Sequence, residues 1–262
     1  RSKKSLRIPM SLPDMNQEAL DANAMYKELM TQAGAAGTFC PFRKEFQMEV
    51  IESLLEKEWG QQEGLEVFEA CSGQGRLLHY LRKFSPKQNY TGLDYIPEHV
   101  AQANERFKGA SNVSCVVGDV YRLPKTFEKR FDYSFLYKTL YVLPDAEQAL
   151  RELIRATKRK IYITTPFYSG DIDFEVRIRS RRLHKEDQYV GYYIRGVPGF
   201  LEACARLGAK QVALHDLNIP FDLPRSSDPG ELRTHTERLD DGSRLELTGI
   251  VVLDWKLCVI DV

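Results

Sequence analysis

From Gly64 to about Phe167 the sequence alternates short β-rich runs with helical ones. In order these are "LEVFEA", a helical stretch ending at Phe84, "YTGLDY", "EHVAQANERF", "VSCVVGDV", "FDYSFLY", "DAEQALRELIRATK" and "KIYITTPF". Strands separated by helices of this length cannot be joined as tight hairpins, so each helix crosses over a sheet between parallel neighbours. The pattern predicts a doubly wound α/β domain. After the helical "PGFLEACARLG" the rhythm breaks, because "KQVALHDL" and "RLELTGIVVLDWKLCVI" follow with no helix between them. Consecutive strands of that kind pair antiparallel, and an open parallel sheet ending so is not the usual dinucleotide-binding arrangement.

Ahead of this region the reading is helical. Leu20, Ala24, Met25 and Leu29 recur at helical spacing between about Asn16 and Met30, and a second helical pattern runs from about Pro41 to Trp59. The intervening "TQAGAAGTFCPF" carries Gly and Pro punctuation, and "RSKKSLRIPM" lacks the apolar core of a secretory signal. Residues 1–60 are expected to form a tail and helical cap, and residues 61–262 the main domain. A chain of 262 residues, 43% hydrophobic, is long enough for one sizeable core.

Charge and cysteine usage narrow the partners. Lys plus Arg number 37 and Asp plus Glu number 37, so no global field draws the chain to nucleic acid. The longest apolar runs are strand-sized, well short of the roughly 20 residues that span a bilayer. Five cysteines (Cys40, Cys71, Cys115, Cys204, Cys258) occur without a CxxC pair, against a disulfide framework or structural zinc. The expectation is a soluble, cytoplasmic protein without a resident metal, monomeric or homodimeric.

The stretch "VFEACSGQGRLLHYL", Val67 to Leu81, reads as a strand entering a glycine turn and then a helix. Gly73 and Gly75 let the backbone approach a ligand, and the helix start offers unpaired N–H groups. A dinucleotide fingerprint needs a third glycine, but Leu78 stands at that position, and no P-loop pattern is present. Glu69, at the end of the strand, would repel a pyrophosphate and attract an ammonium group. The ligand is expected to carry positive charge there.

"EACSGQG" resembles motif I of the class I S-adenosylmethionine-dependent methyltransferases, an acid followed by small residues or glycines at alternate positions; Cys71 stands where the first glycine is usual. Further matches are "TGLDYIP", with Asp94 about 20 residues beyond the glycines, and "VVGDVYRLP", with Asp119 after the third strand. "FDYSFLYKTLYVLPD" is similar to the family's fourth strand and the segment facing the methyl group. The resemblance spans roughly Gly64 to Val262 and implies a Rossmann-like, seven-stranded, mostly parallel sheet with a terminal antiparallel pair. It implies S-adenosylmethionine as cofactor and S-adenosylhomocysteine as product. The cofactor contacts it implies are Glu69, Ala70, Cys71, Gly73 and Gly75 at the turn, Asp94 and Tyr95 at the ribose, Asp119 and Val120 at the adenine, and Tyr137.

For the acceptor, the fourth-strand signature of N-methylating enzymes, Asn or Asp followed by Pro-Pro and an aromatic, is replaced by "LYKTLY". Oxygen methylation of a small or medium-sized molecule is expected. Tyr137, Lys138 and Tyr141 are acceptor-side candidates because ligands of open α/β sheets bind beyond the carboxyl ends of strands. Arg177, Arg179, Arg181 and Arg182, with His184 and Lys185, form a cationic run suited to a phosphorylated or sugar-type acceptor, against the alternative of a solvated charged segment. His184 and His215 are the general-base candidates, alongside Tyr137 and Tyr141. Tyr26, Phe39 and Arg43 of the cap, and the long loop "NIPFDLPRSSDPGELRTHTERLDDGSR", are placed to close the site from two sides. The rival readings are a non-catalytic cofactor-binding or assembly protein and an NAD(P)-dependent oxidoreductase.

Overall fold

A computed structural model describes residues 45–179, 189–228 and 232–262. The expected helix Asn16–Met30, the residues Tyr26, Phe39, Arg43, Arg181, Arg182, His184 and Lys185, and Cys40 lie outside these residues. The helices are α1 (Phe46–Trp59), α2 (Arg76–Phe84), α3 (Pro97–Arg106), α4 (Ala146–Ala156) and α5 (Val197–Arg206). The central strands are β1 (Glu66–Ala70), β2 (Asn89–Asp94), β3 (Val113–Val117), β4 (Phe131–Tyr137) and β5 (Thr157–Tyr168). After them come β6 (Phe174–Ile178), β7 (Val190–Gly196) and β8 (Gln211–Asp216), then β9 (Thr234–Arg238), β10 (Arg244–Thr248), β11 (Val251–Val252) and β12 (Trp255–Asp261).

The main sheet runs β3-β2-β1-β4-β5-β12-β8. Neighbours from β3 to β5 are parallel, and β12 is antiparallel to both β5 and β8. The doubly wound sheet with its terminal antiparallel pair is as the sequence predicts. Helices cover both faces, as crossover connections demand. Met48, Ile51, Leu55 and Trp59 of α1 join Leu77, Leu81 and Val100 on one face, while Leu150, Leu153, Phe200 and Cys204 of α4 and α5 fill the other. Trp59 sits 5.6 Å from the Tyr133 ring, so α1 packs into the main core. Each fully buried Leu, Ile or Phe contributes about 1.5–3 kcal/mol.

Two elements depart from the expected layout. The cationic run after β5 begins as β6, which pairs antiparallel with β7, and β7 in turn pairs with the end of β5. The run "RLELTGIVVLDWKLCVI" is three strands, not one: Gly249, at φ 62°, lies in a turn between β10 and β11, and β12 begins only at Trp255. Part of the long loop before it is β9, which completes a small β9-β10-β11 sheet. A period-2 apolar pattern continues across such a turn, so alternation alone does not show the break.

Candidate functional site

Because β1 to β5 are parallel, their carboxyl ends share one edge. Glu69 there is paired in register with Gly92 of β2 and Phe135 of β4. It is 3% exposed, and its Oε2 has no hydrogen-bond partner among the described residues. Burial pushes the carboxyl well above the usual glutamate range, the Leu78 amide offsets this in part, and Asp94 adds to it. A buried acid with an open lone pair is what an ammonium group would complete.

The turn that follows is left-handed at three positions: Cys71 at φ 55°, Gly73 at 52° and Gly75 at 77°. Cys71 therefore adopts the conformation that normally calls for glycine, which costs a Cβ-bearing residue about 1–2 kcal/mol. Gly75 has a second reason to be glycine, since a Cβ there would lie 2.6 Å from Cε2 of Phe107. Above Gly73 an added Cβ would meet nothing within 4 Å, so the crest of the turn is open. The Ser72 amide donates to the Leu93 carbonyl at 2.9 Å and the Gly73 amide to Asp94 Oδ2 at 2.7 Å, fixing the turn beside the end of β2. Ser72 Oγ is buried and also unpartnered among the described residues.

Asp94 also accepts from the Ile96 amide through Oδ1 at 3.0 Å, and His99 Nδ1 lies 3.7 Å from the same oxygen. A carboxylate has about four lone-pair sites, so acceptor capacity remains for hydroxyl groups. Tyr95, next in the chain, is half-buried. Asp119 is buried and accepts from the Tyr121 amide at 2.9 Å. Burial raises its carboxyl, against the Tyr121 amide and Arg122. Val120 is buried beside it.

On the acceptor side, Tyr137 ends β4, and Lys138 follows at φ 52° with its amide donating to Thr164 Oγ1 at 2.8 Å. Both side chains converge on Glu45, whose Oε2 accepts from the Tyr137 hydroxyl at 2.7 Å and from Lys138 Nζ, while Arg76 at the start of α2 binds Oε1. Burial would raise Glu45, but Lys138, Tyr137 and Arg76 outweigh it and hold the carboxyl below its ordinary value. Burial first and then Glu45 push the Tyr137 phenol up, so it stays protonated and donates. Lys138 and Arg76 thus meet on one carboxylate, Lys138 on one oxygen and Arg76 on the other. Tyr141 packs edge-on against Tyr192 at 5.1 Å and Trp255 at 5.5 Å, and Lys138 Nζ lies 5.7 Å from the Trp255 ring centroid.

Sequence reading missed Glu45, Trp255 and Tyr192 at this site. Glu45 falls inside the helical pattern read from about Pro41, whereas the observed helix spans Phe46–Trp59 with Glu45 at its N-cap, and an acid in that pattern reads first as solvated surface.

Other candidates are placed elsewhere. His215 pairs with Leu257, which pairs with Thr164, which pairs with Tyr137. Three strand spacings, about 14 Å, separate it from Tyr137. Arg177 and Arg179 are exposed, and Arg177 Nε bonds Glu175 Oε1 at 2.8 Å. Among the described residues no group of His, Cys, Asp and Glu is arranged to hold a metal, and no helix is long and apolar enough to cross a membrane.

A family model described as "Methyltransferase domain" matches residues 61–194, just over half of the chain. The chain belongs to this methyltransferase family. It is a class I S-adenosylmethionine-dependent methyltransferase. No curated protein matches it in sequence. Among solved structures it is similar to the YcgJ protein of Bacillus subtilis, with a TM-score of 0.52 and 16% identity over 80% of this chain and 97% of that one. The N-terminal domain of EvdMO1, solved with S-adenosylhomocysteine bound, gives 0.56 and 15%, covering 84% and 82%. The CurJ carbon methyltransferase gives 0.52 and 12%, covering 82% and 53%. At these identities the likeness is one of fold.

The residues present fit the cofactor. The unpartnered Glu69 oxygen suits its ammonium group, the open crest at Gly73 leaves room for its chain, and Asp94 keeps lone pairs for a diol. The methyltransferase family match, with Leu78 where a dinucleotide fingerprint needs its third glycine, sets the oxidoreductase reading aside.

Proposed function

We propose that this methyltransferase acts on a small or medium-sized acceptor held beyond the carboxyl ends of β4 and β5, at an oxygen atom. The convergence of Tyr137, Lys138 and Tyr141 beside Glu45 carries the reading. The cofactor's sulfonium supplies an electrophilic methyl group, and transfer is an in-line displacement whose rate depends on how the acceptor is held. In this reading Glu69, Ala70, Cys71, Gly73 and Gly75 seat the amino-acid end, Asp94 and Tyr95 the ribose, and Asp119 and Val120 the adenine.

The Tyr137 hydroxyl, its hydrogen bond donated to Glu45, keeps lone pairs that accept from an acceptor hydroxyl, and Lys138, with N–H groups beyond the one on Glu45, favours an anionic or hydroxyl-bearing group and stabilises an oxyanion as the proton passes to solvent. Glu45 is held ionised by its partners and acts as a positioning residue, not as a strong base. Arg177 and Arg179 sit on the exposed hairpin, where they draw in an anionic acceptor without holding the reacting atom.

Two measurements test this. Calorimetric titration with S-adenosylmethionine, S-adenosylhomocysteine and NAD is expected to show binding of the two sulfur ligands only; NAD binding alone would overturn the cofactor assignment. Incubating enzyme and cofactor with metabolite extracts is expected to yield a product heavier by one methylene, with the new methyl on oxygen. Glu45→Gln is expected to cut that turnover at least tenfold while S-adenosylhomocysteine affinity stays within about threefold. A product methylated on nitrogen or carbon would overturn the oxygen assignment.

A further inference from the structure

The β6–β7 hairpin presents one apolar face. Antiparallel register pairs Phe174 with Ile194, Val176 with Tyr192 and Ile178 with Val190, which puts all six side chains on the same side. Opposite this face, across the end of β5, stands the β10–β11 turn with Ile250, Val251 and Val252. Between them lies a cleft of ≈ 370 Å³, within the range of small-molecule pockets of about 300–1,000 Å³. Its exposed rim is apolar: Ile250 is 92% exposed, Val252 47%, Phe174 43% and Tyr168 39%. The acidic side chain on its wall, Asp254, is paired with Lys256 Nζ at 2.7 Å, so no free charge recommends the cleft to an ion.

The walls are built in advance. Arg195 donates to the carbonyls of Leu143 at 2.9 Å and Pro144 at 3.1 Å, tying β7 to the segment after β4. The Gly196 amide donates to Asp173 Oδ1 at 2.7 Å, and a Cβ on Gly196 would come within 2.9 Å of the Ile172 amide nitrogen, so the two backbones close directly on each other. Packed rings link the wall of the cleft to the acceptor side. Tyr192, on the same hairpin face as Val176 and Ile194, meets Tyr141, which meets Trp255, over which Lys138 lies.

We propose that the cleft between the β6–β7 hairpin and β11 binds an extended apolar tail of the methyl acceptor, whose polar head lies at Tyr137 and Lys138. This rests on the acceptor placement proposed above and narrows it to amphipathic molecules. Exposed aliphatic surface that lines a preformed pocket gains about 25 cal/mol for each Å² it covers, whereas the same residues left in water gain nothing.

The probe is a series of n-alkyl 4-hydroxybenzoates, methyl to heptyl, titrated calorimetrically into the full chain with and without saturating S-adenosylhomocysteine. Affinity is expected to rise about two- to fourfold per added methylene until the cleft is filled. Phe174→Asp and Val252→Asp, on opposite walls and both partly exposed, are each expected to abolish that gain while leaving S-adenosylhomocysteine affinity unchanged. A flat series in the wild type, or variants that keep the slope, would overturn the proposal. So would a flat series accompanied by binding to phosphatidylcholine vesicles that Ile250→Asp removes, which would assign the patch to a lipid surface. Failure of S-adenosylhomocysteine to bind would strike the methyltransfer reading instead, and that result is separate from the slope.

Discussion

Replacing Glu69 with Gln removes an ionisable group from the base of the turn and nearly preserves its volume, and it should move stability and ligand affinity in opposite directions. Burial holds the Glu69 carboxyl well above its ordinary 4.5, with the Leu78 amide opposing and Asp94 adding. The folded chain therefore keeps a proton that the unfolded chain releases, so the stability present below pH 4.5 is lost as pH rises toward the folded-state value. Each pH unit of that window is worth about 1.4 kcal/mol, or about 3–5 °C of melting temperature in a chain of this size. Wild type should fall behind Glu69→Gln by that amount per unit above the ordinary glutamate range, until the folded-state value is passed. Cofactor binding should respond the other way: loss of a charge-assisted hydrogen bond of about 1.5–3 kcal/mol weakens S-adenosylhomocysteine about ten- to hundredfold. Wild-type affinity should also rise with pH as the carboxyl ionises, while the Gln variant stays flat. Melting curves from pH 5 to 8, with and without S-adenosylhomocysteine, read both effects. Parallel curves and equal affinities would show that Glu69 is neither strained by burial nor facing the ammonium group.

The other site residues make separate predictions. Asp94→Ala leaves the Gly73 and Ile96 amides without their acceptor and should weaken S-adenosylhomocysteine about ten- to hundredfold by calorimetry, a loss of about 1.5–3 kcal/mol; unchanged affinity would mean that the carboxylate does not face the ribose. Cys71→Gly relieves the left-handed φ of 55°, whereas Cys71→Ala keeps the Cβ and the strain. After the entropic cost of glycine is subtracted, the Gly variant should be the more stable of the two by about 1 kcal/mol in chemical denaturation, and equal midpoints would show that the turn carries no strain.

The sheet and the turn were readable because their determinants are local. Alternation marks a strand within five or six residues, and Glu69, Asp94 and Asp119 fall where strands end. Glu45 was not readable, because its partners Tyr137 and Lys138 stand 92 and 93 positions away in the chain. The cationic run beginning at Arg177 suggested an anion site, yet the same segment turned its alternate residues, Phe174, Val176 and Ile178, into an apolar wall. Charge dominated the reading of a stretch whose other face is hydrophobic. His215 is a candidate on residue chemistry alone; two strands, β12 and β5, stand between its strand and that of Tyr137, so the structure does not bring the two together.

Cys71 bears on how the protein meets oxidants and alkylating agents. Burial, with Asp94, Asp119 and Glu69 around it, pushes its thiol well above 9.0. The reactive species of a cysteine is its thiolate, and here almost none exists at neutral pH. A sulfur at the mouth of a cofactor site would ordinarily invite peroxide or maleimide. Burial first, and then the acids around the turn, slow this half-buried thiol, so labelling of the folded protein should lag well behind that of the unfolded chain.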